Sequence, residues 1–118
     1  MSDFRMGPGE LRFAELIWDN EPVSSGVLAK LALEAIGWKK TTAFTVLKRL
    51  CDRGLFQNEG GTVTSLMSRE EYDARQSELY VEENFGGSLP AFLAAFGSRK
   101  KLSQEEIRQL ESLIESMR

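Results

Sequence analysis

The stretch that decides the fold is "GWKKTTAFTVLKRLCDRGLFQNEGGTVTSLM", residues 37–67. Its first half has helical spacing. At 100° per residue, Ala43, Val46, Leu47, Leu50 and Cys51 fall on one side, with Phe44 at its edge. Thr41, Thr42, Thr45, Lys48, Arg49 and Asp52 fall on the other. The spacing predicts a helix over 39–53, and Gly54 is placed to end it in the left-handed conformation. The second half reads as two short strands, 55–58 and 62–67, around Glu59-Gly60-Gly61, a hairpin signal.

Towards the N-terminus, "GPGELRFAELIWD" signals a helix. Pro8 suits a first helical position, and Glu10 favours the positive helix end. Leu11, Ala14, Ile17 and Trp18 make its apolar face. Ser24 or Ser25 can cap a second helix, "GVLAKLALEAI", which is apolar nearly all round and expected to be well buried, with Gly37 stopping it. Three helices and a hairpin form the winged helix-turn-helix pattern, in which the second helix of the pair enters the major groove. The expected fold class is mainly α with a small β-hairpin.

Beyond residue 68 the character changes. Ser68-x-x-Glu71 is a capping box opening a charged helix with Tyr72, Leu79 and Tyr80 as sparse apolar contacts. Gly86-Gly87 breaks it, and "SLPAFLAAF" follows as a short apolar segment. "GSRKK" reads as a solvated linker, with DNA or a partner's exposed acids as the alternative contact of Ser98–Lys101. A second capping box, Ser103-x-x-Glu106, opens a last helix carrying Ile107, Leu110, Leu113, Ile114 and Met117. So narrow a tail cannot cover its own apolar surface, and a partner chain is the simplest cover. The expected division is a DNA-binding domain over 1–68 and a helical dimerisation domain over 69–118. The dimer contacts are Tyr72, Leu79, Leu89, Phe92, Leu93, Phe96, Ile107, Leu110 and Ile114.

The 118 residues hold one cysteine and no histidine. That excludes internal disulfides, Cys/His metal cages and histidine acid–base chemistry. No phosphate loop or nucleophile elbow accompanies the carboxylates. An enzyme has nothing to stand on, and no metal or cofactor is expected. The opening "MSDFRMGPGE" reads without a signal peptide, and no apolar run approaches the ~18 residues of a membrane span, so the expected compartment is the cytoplasm. The net charge is −3, yet residues 38–53 hold five Lys/Arg against the single acid Asp52, a local +4. DNA phosphates respond to that patch rather than to the total.

Taken together, the chain resembles the penicillinase-repressor family of bacterial repressors of beta-lactamase, methicillin-resistance and copper-transport genes. The resemblance runs from about Gly7 to Arg118. It rests on Glu10-Leu11 with Ile17-Trp18, Trp38, the series Thr42, Thr45, Leu47, Arg49, Leu50, Gly54, and the C-terminal "LSQEEIRQL". It implies a homodimer that occludes a promoter by binding a palindromic double-stranded operator. It also implies an inactivating protease that cuts a short apolar segment, here at Ala95-Phe96, where Ala95 replaces the family's asparagine. The cysteine cluster of copper-responsive members is absent. The wing tip lacks the family's Arg, and Phe44 replaces a residue that is usually polar there.

The expected DNA contacts are Thr41, Thr42 and Thr45 on bases and phosphates, with Thr42 and Thr45 reading bases. Lys39, Lys40, Lys48 and Arg49 lie on phosphates, with Ser25 at the start of the second helix. Arg49 has an internal salt bridge as its alternative. Trp18, Trp38 and Cys51 read as packing residues. A rival reading is a protein-interaction module that has lost strong operator binding, favoured by the acidic balance and the wing without Arg.

Overall fold

The computed structural model describes residues 4–118. The order is α1 (Pro8–Asn20), β1 (Val23–Ser24), α2 (Ser25–Ile36), α3 (Lys40–Asp52), β2 (Phe56–Glu59), β3 (Thr62–Ser65), α4 (Arg69–Phe85), α5 (Leu89–Arg99) and α6 (Gln104–Ser116). The chain divides into two compact units after Gln76, inside α4, rather than at the expected 68/69 junction.

The first unit is built around the apolar faces of α1, α2 and α3. Phe13, Ile17, Leu28, Leu50, Leu55, Phe56 and Val63 are its largest fully buried side chains. Full burial of each contributes roughly 1.5–3 kcal/mol. Gly7 is the N-cap of α1; its N–H donates to Glu10 Oε1 at 3.1 Å, and Pro8 opens the first turn. Ser24 caps α2 by accepting from the Val27 N–H at 3.1 Å. Gly37, at φ 79°, ends α2 in the left-handed region and turns the chain into α3. Phe13 packs on Trp38 with ring centroids 5.3 Å apart, so the residue that opens the α3 segment is anchored on α1.

α2 is less buried than its composition implies. Leu28, Ala29 and Ala32 are enclosed, but Val27 and Leu33 are exposed, because one helix can turn only one stripe towards the core.

The wing carries one strand more than the sequence signals. Val23–Ser24 pairs antiparallel with β3, giving the order β1-β3-β2. In the hairpin Phe56 faces Ser65 and Glu59 faces Thr62. Gly60 and Gly61, at φ 60° and 89°, make a turn with two left-handed central residues, which suits two-residue hairpin loops. Glu21 ties this sheet to the end of α1: its carboxylate accepts from the Ser65 N–H at 2.8 Å and from the Ser65 hydroxyl at 2.9 Å.

The beginning of α4 completes the first unit. Ser68 caps it by accepting from the Glu71 N–H at 3.1 Å. Tyr72 is 4% exposed, with its ring 5.8 Å from Trp18 and its hydroxyl oxygen accepting from the Met6 N–H at 3.2 Å. Trp18 Nε1–H in turn donates to Met67 O at 3.0 Å.

The second unit comprises the end of α4 with α5 and α6. Gly86 and Gly87 take the left-handed conformation between α4 and α5. Ser88 caps α5 by accepting from the Ala91 N–H at 3.1 Å. α5 continues through Gly97-Ser98-Arg99, beyond the apolar segment and into the stretch expected to be a linker. Tyr80, Phe85, Phe92 and Phe96 form a chain of ring contacts with centroids 5.5 to 6.3 Å apart. A full capping box opens α6, with Ser103 accepting from the Glu106 N–H and Glu106 accepting from the Ser103 N–H. Neither α5 nor α6 has a buried residue. Among the described residues no helix is long and apolar enough to cross a membrane.

Candidate nucleic-acid interface

α3 sorts its residues as the periodicity requires. Ala43, Val46, Leu47 and Leu50 are buried, Cys51 is half-buried, and Lys39, Lys40, Thr41, Thr42, Thr45, Lys48 and Arg49 are exposed. The lysines are costly for the helix itself. Lys39 is the N-cap without a side-chain cap bond, Lys40 is the first helical residue, and the first turn holds no acid. Cations at the positive end of a helix dipole typically cost 0.3–1 kcal/mol each, about the amount an anion gains there. The arrangement disfavours the helix and favours an incoming anion.

The remaining cations differ in availability. Lys48 pairs with Asp52 at 3.1 Å, but both are exposed, and such i,i+4 pairs contribute only ~0.3–0.5 kcal/mol. Arg49 reaches Glu10 Oε2 at 3.2 Å, and Arg53 approaches the same oxygen at 3.6 Å. Arg49 therefore has the internal partner that was its alternative in the sequence, while more than half of its side chain stays in solvent. Lys40 Nζ stands 5.6 Å from the centre of the Phe44 ring.

Of the threonines, Thr45 donates its hydroxyl to Thr41 O at 2.9 Å. Thr41, Thr42 and Thr45 line a shallow hollow of about 200 Å³ with Val46 and Arg49. Ser25 is half-buried and its N–H donates to Gly61 O at 2.8 Å, so this amide holds the wing and is not free for phosphate. The wing tip offers Glu59, Gly60, Gly61 and Thr62, without a cation.

Cys51 is half-buried and its environment disfavours the thiolate. Burial pushes its thiol up, Asp52 acts in the same sense, and Lys48 opposes them. No group of three or more His, Cys, Asp or Glu among the described residues is placed to hold a metal.

In the second unit, Phe92, Leu93, Phe96, Leu102, Leu110 and Leu113 line an open apolar groove of about 340 Å³. Leu89, Phe96, Ile107 and Ile114 are exposed, and Leu79 is half-buried. Tyr72 corrects the expected set of dimer contacts: it is enclosed in the first unit's core and has no surface for a partner. Ala95 and Phe96 are exposed but lie in the body of helix α5. Sequence reasoning passed over Phe13, Glu10 as the partner of Arg49, and Thr45's bond to its own helix. The first was legible as an apolar residue in α1; the other two depend on side-chain geometry.

The model of the penicillinase repressor family matches residues 6–116, nearly the whole described chain. The chain belongs to the penicillinase repressor family. It is also 24% identical over 115 residues to the penicillinase repressor of Bacillus licheniformis, an alignment covering 94% of this chain and 90% of that protein. Membership supports a role in transcriptional repression, and the family is one of regulators rather than enzymes.

Proposed function

We propose that this chain is a cytoplasmic transcriptional repressor that binds a palindromic promoter operator as a homodimer and blocks transcription by occlusion. The observation that carries the reading is α3. Three lysines and three threonines are exposed on one helix, two of the lysines at the helix end where they cost stability. In this reading Lys39, Lys40 and Lys48 hold phosphates, Thr41, Thr42 and Thr45 face bases, and Arg49 is shared between phosphate and Glu10. Ser25 contributes through its side chain only. The second copy covers the apolar surfaces of α5 and α6, which enclose no residue of their own. A protease acting at Ala95-Phe96 would have to unwind α5 locally before cutting.

The test is selection of bound fragments from the source genome with the purified full chain. Recovery of an inverted repeat overlapping a promoter supports the reading. Diffuse retention without a common sequence contradicts it and favours the protein-interaction module, for which the wing's lack of a cation is the specific observation.

A further inference from the structure

Two neighbours on α3 do not suit a readout by hydrogen bonds. Phe44 is a large aromatic side chain on the helix that carries the exposed threonines and lysines, and it is 36% exposed. Its ring lies beneath the Lys40 ammonium. Thr45 is exposed, but its only hydroxyl proton is engaged by Thr41 O. What Thr45 can offer a partner is its methyl group and the lone pairs of its oxygen. The middle of α3 therefore presents a ring and a methyl where a hydrogen-bonding reader would present amides or guanidinium groups.

In the major groove, donors and acceptors distinguish most base edges, and the apolar group on offer is the 5-methyl of thymine. A ring and a methyl match that group better than any donor or acceptor edge. We infer that α3 reads thymine 5-methyl groups, through the Phe44 ring and the Thr45 methyl, while Lys40, steadied over the ring, takes a neighbouring phosphate. The inference rests on the DNA-binding reading of α3 and names the base chemistry it recognises. Half-sites bound by this chain then contain thymines whose methyl groups, not their O4 acceptors, carry the preference.

Replacing thymine by deoxyuridine removes only that methyl. The best-retained genomic fragment is synthesised with single deoxyuridine replacements across the half-site and titrated by fluorescence anisotropy. The proteins are the full-length parent, Phe44→Ala, Thr45→Ser and Thr45→Val. Burying one methyl corresponds to about a four-fold change in affinity. The parent should lose that much at one or two positions. Phe44→Ala should be indifferent to deoxyuridine at the position read by the ring. Thr45→Ser, which keeps the hydroxyl and loses the methyl, should be indifferent at the other, whereas Thr45→Val should retain the parent's sensitivity. Thermal melts check that the variants are folded, and Phe44 lies outside the buried core.

Tight binding with no penalty at any position, or with equal penalties in parent and variants, overturns the inference and leaves operator binding intact. Failure of the parent to retain any fragment overturns both, and makes the exposed Phe44 a contact for a protein.

Discussion

Tyr72 and Thr45 carry consequences that only their side-chain geometry reveals. Tyr72 is enclosed by Trp18 and holds the Met6 N–H, so Tyr72→Ala should destabilise the first unit by about 3 kcal/mol, in the range of other buried aromatic truncations. A chemical denaturation curve measures that loss, and light scattering should find the oligomeric mass unchanged. A fall in mass without loss of stability would return Tyr72 to the dimer interface. The sequence placed Tyr72 on the wrong side because α4 has few apolar residues, and periodicity says which face is apolar but not what covers it. The α3 pattern was legible because four buried positions recur at helical spacing: Ala43, Val46, Leu47 and Leu50. Thr45's engaged hydroxyl was not, since a rotamer leaves no trace in composition.

At the scale of elements, two carboxylates set how helices begin and meet. Glu10 joins the start of α1 to Arg49 and Arg53 near the end of α3. Glu10→Gln keeps an acceptor for the Gly7 N–H but drops the charge. Because Arg49 is half in solvent, the expected stability loss is only about 1 kcal/mol. Releasing Arg49 should at the same time strengthen binding to a DNA fragment several-fold, which a titration beside a thermal melt would detect. A variant that binds more weakly would assign Arg49 a purely internal role. Glu106 opens α6, and the Ser103 N–H, helped by the Ser103 hydroxyl, holds its carboxyl below the usual glutamate range, with Lys100 acting in the same direction and burial against it. A lowered folded value means that stabilisation is present above the ordinary value of about 4.3 and is lost as pH falls through the folded one. The Ser103 amide resonance, followed by NMR, should titrate with a midpoint below that ordinary value. A midpoint at or above it would mean that the cap does not form in solution. The helices were readable from caps and spacing. β1 was not, because two residues, Val23 and Ser24, are too few to show an alternating pattern.

The molecule as a whole carries a cation-bearing helix in the first unit and an exposed apolar surface in the second. Leu110→Arg with Ile114→Arg places two cations on that surface and should convert a dimer to a monomer by light scattering. An unchanged mass would remove the tail from the interface. The central claim is that α3 holds DNA by its lysines, and the salt dependence of binding tests it most directly. Three exposed lysines in each of two protomers predict a slope of log K against log salt of roughly −5. Lys39→Ala with Lys40→Ala should bring it to roughly −2, since four contacts are lost across the dimer. A slope near zero, or one that the double variant leaves unchanged, would contradict the account.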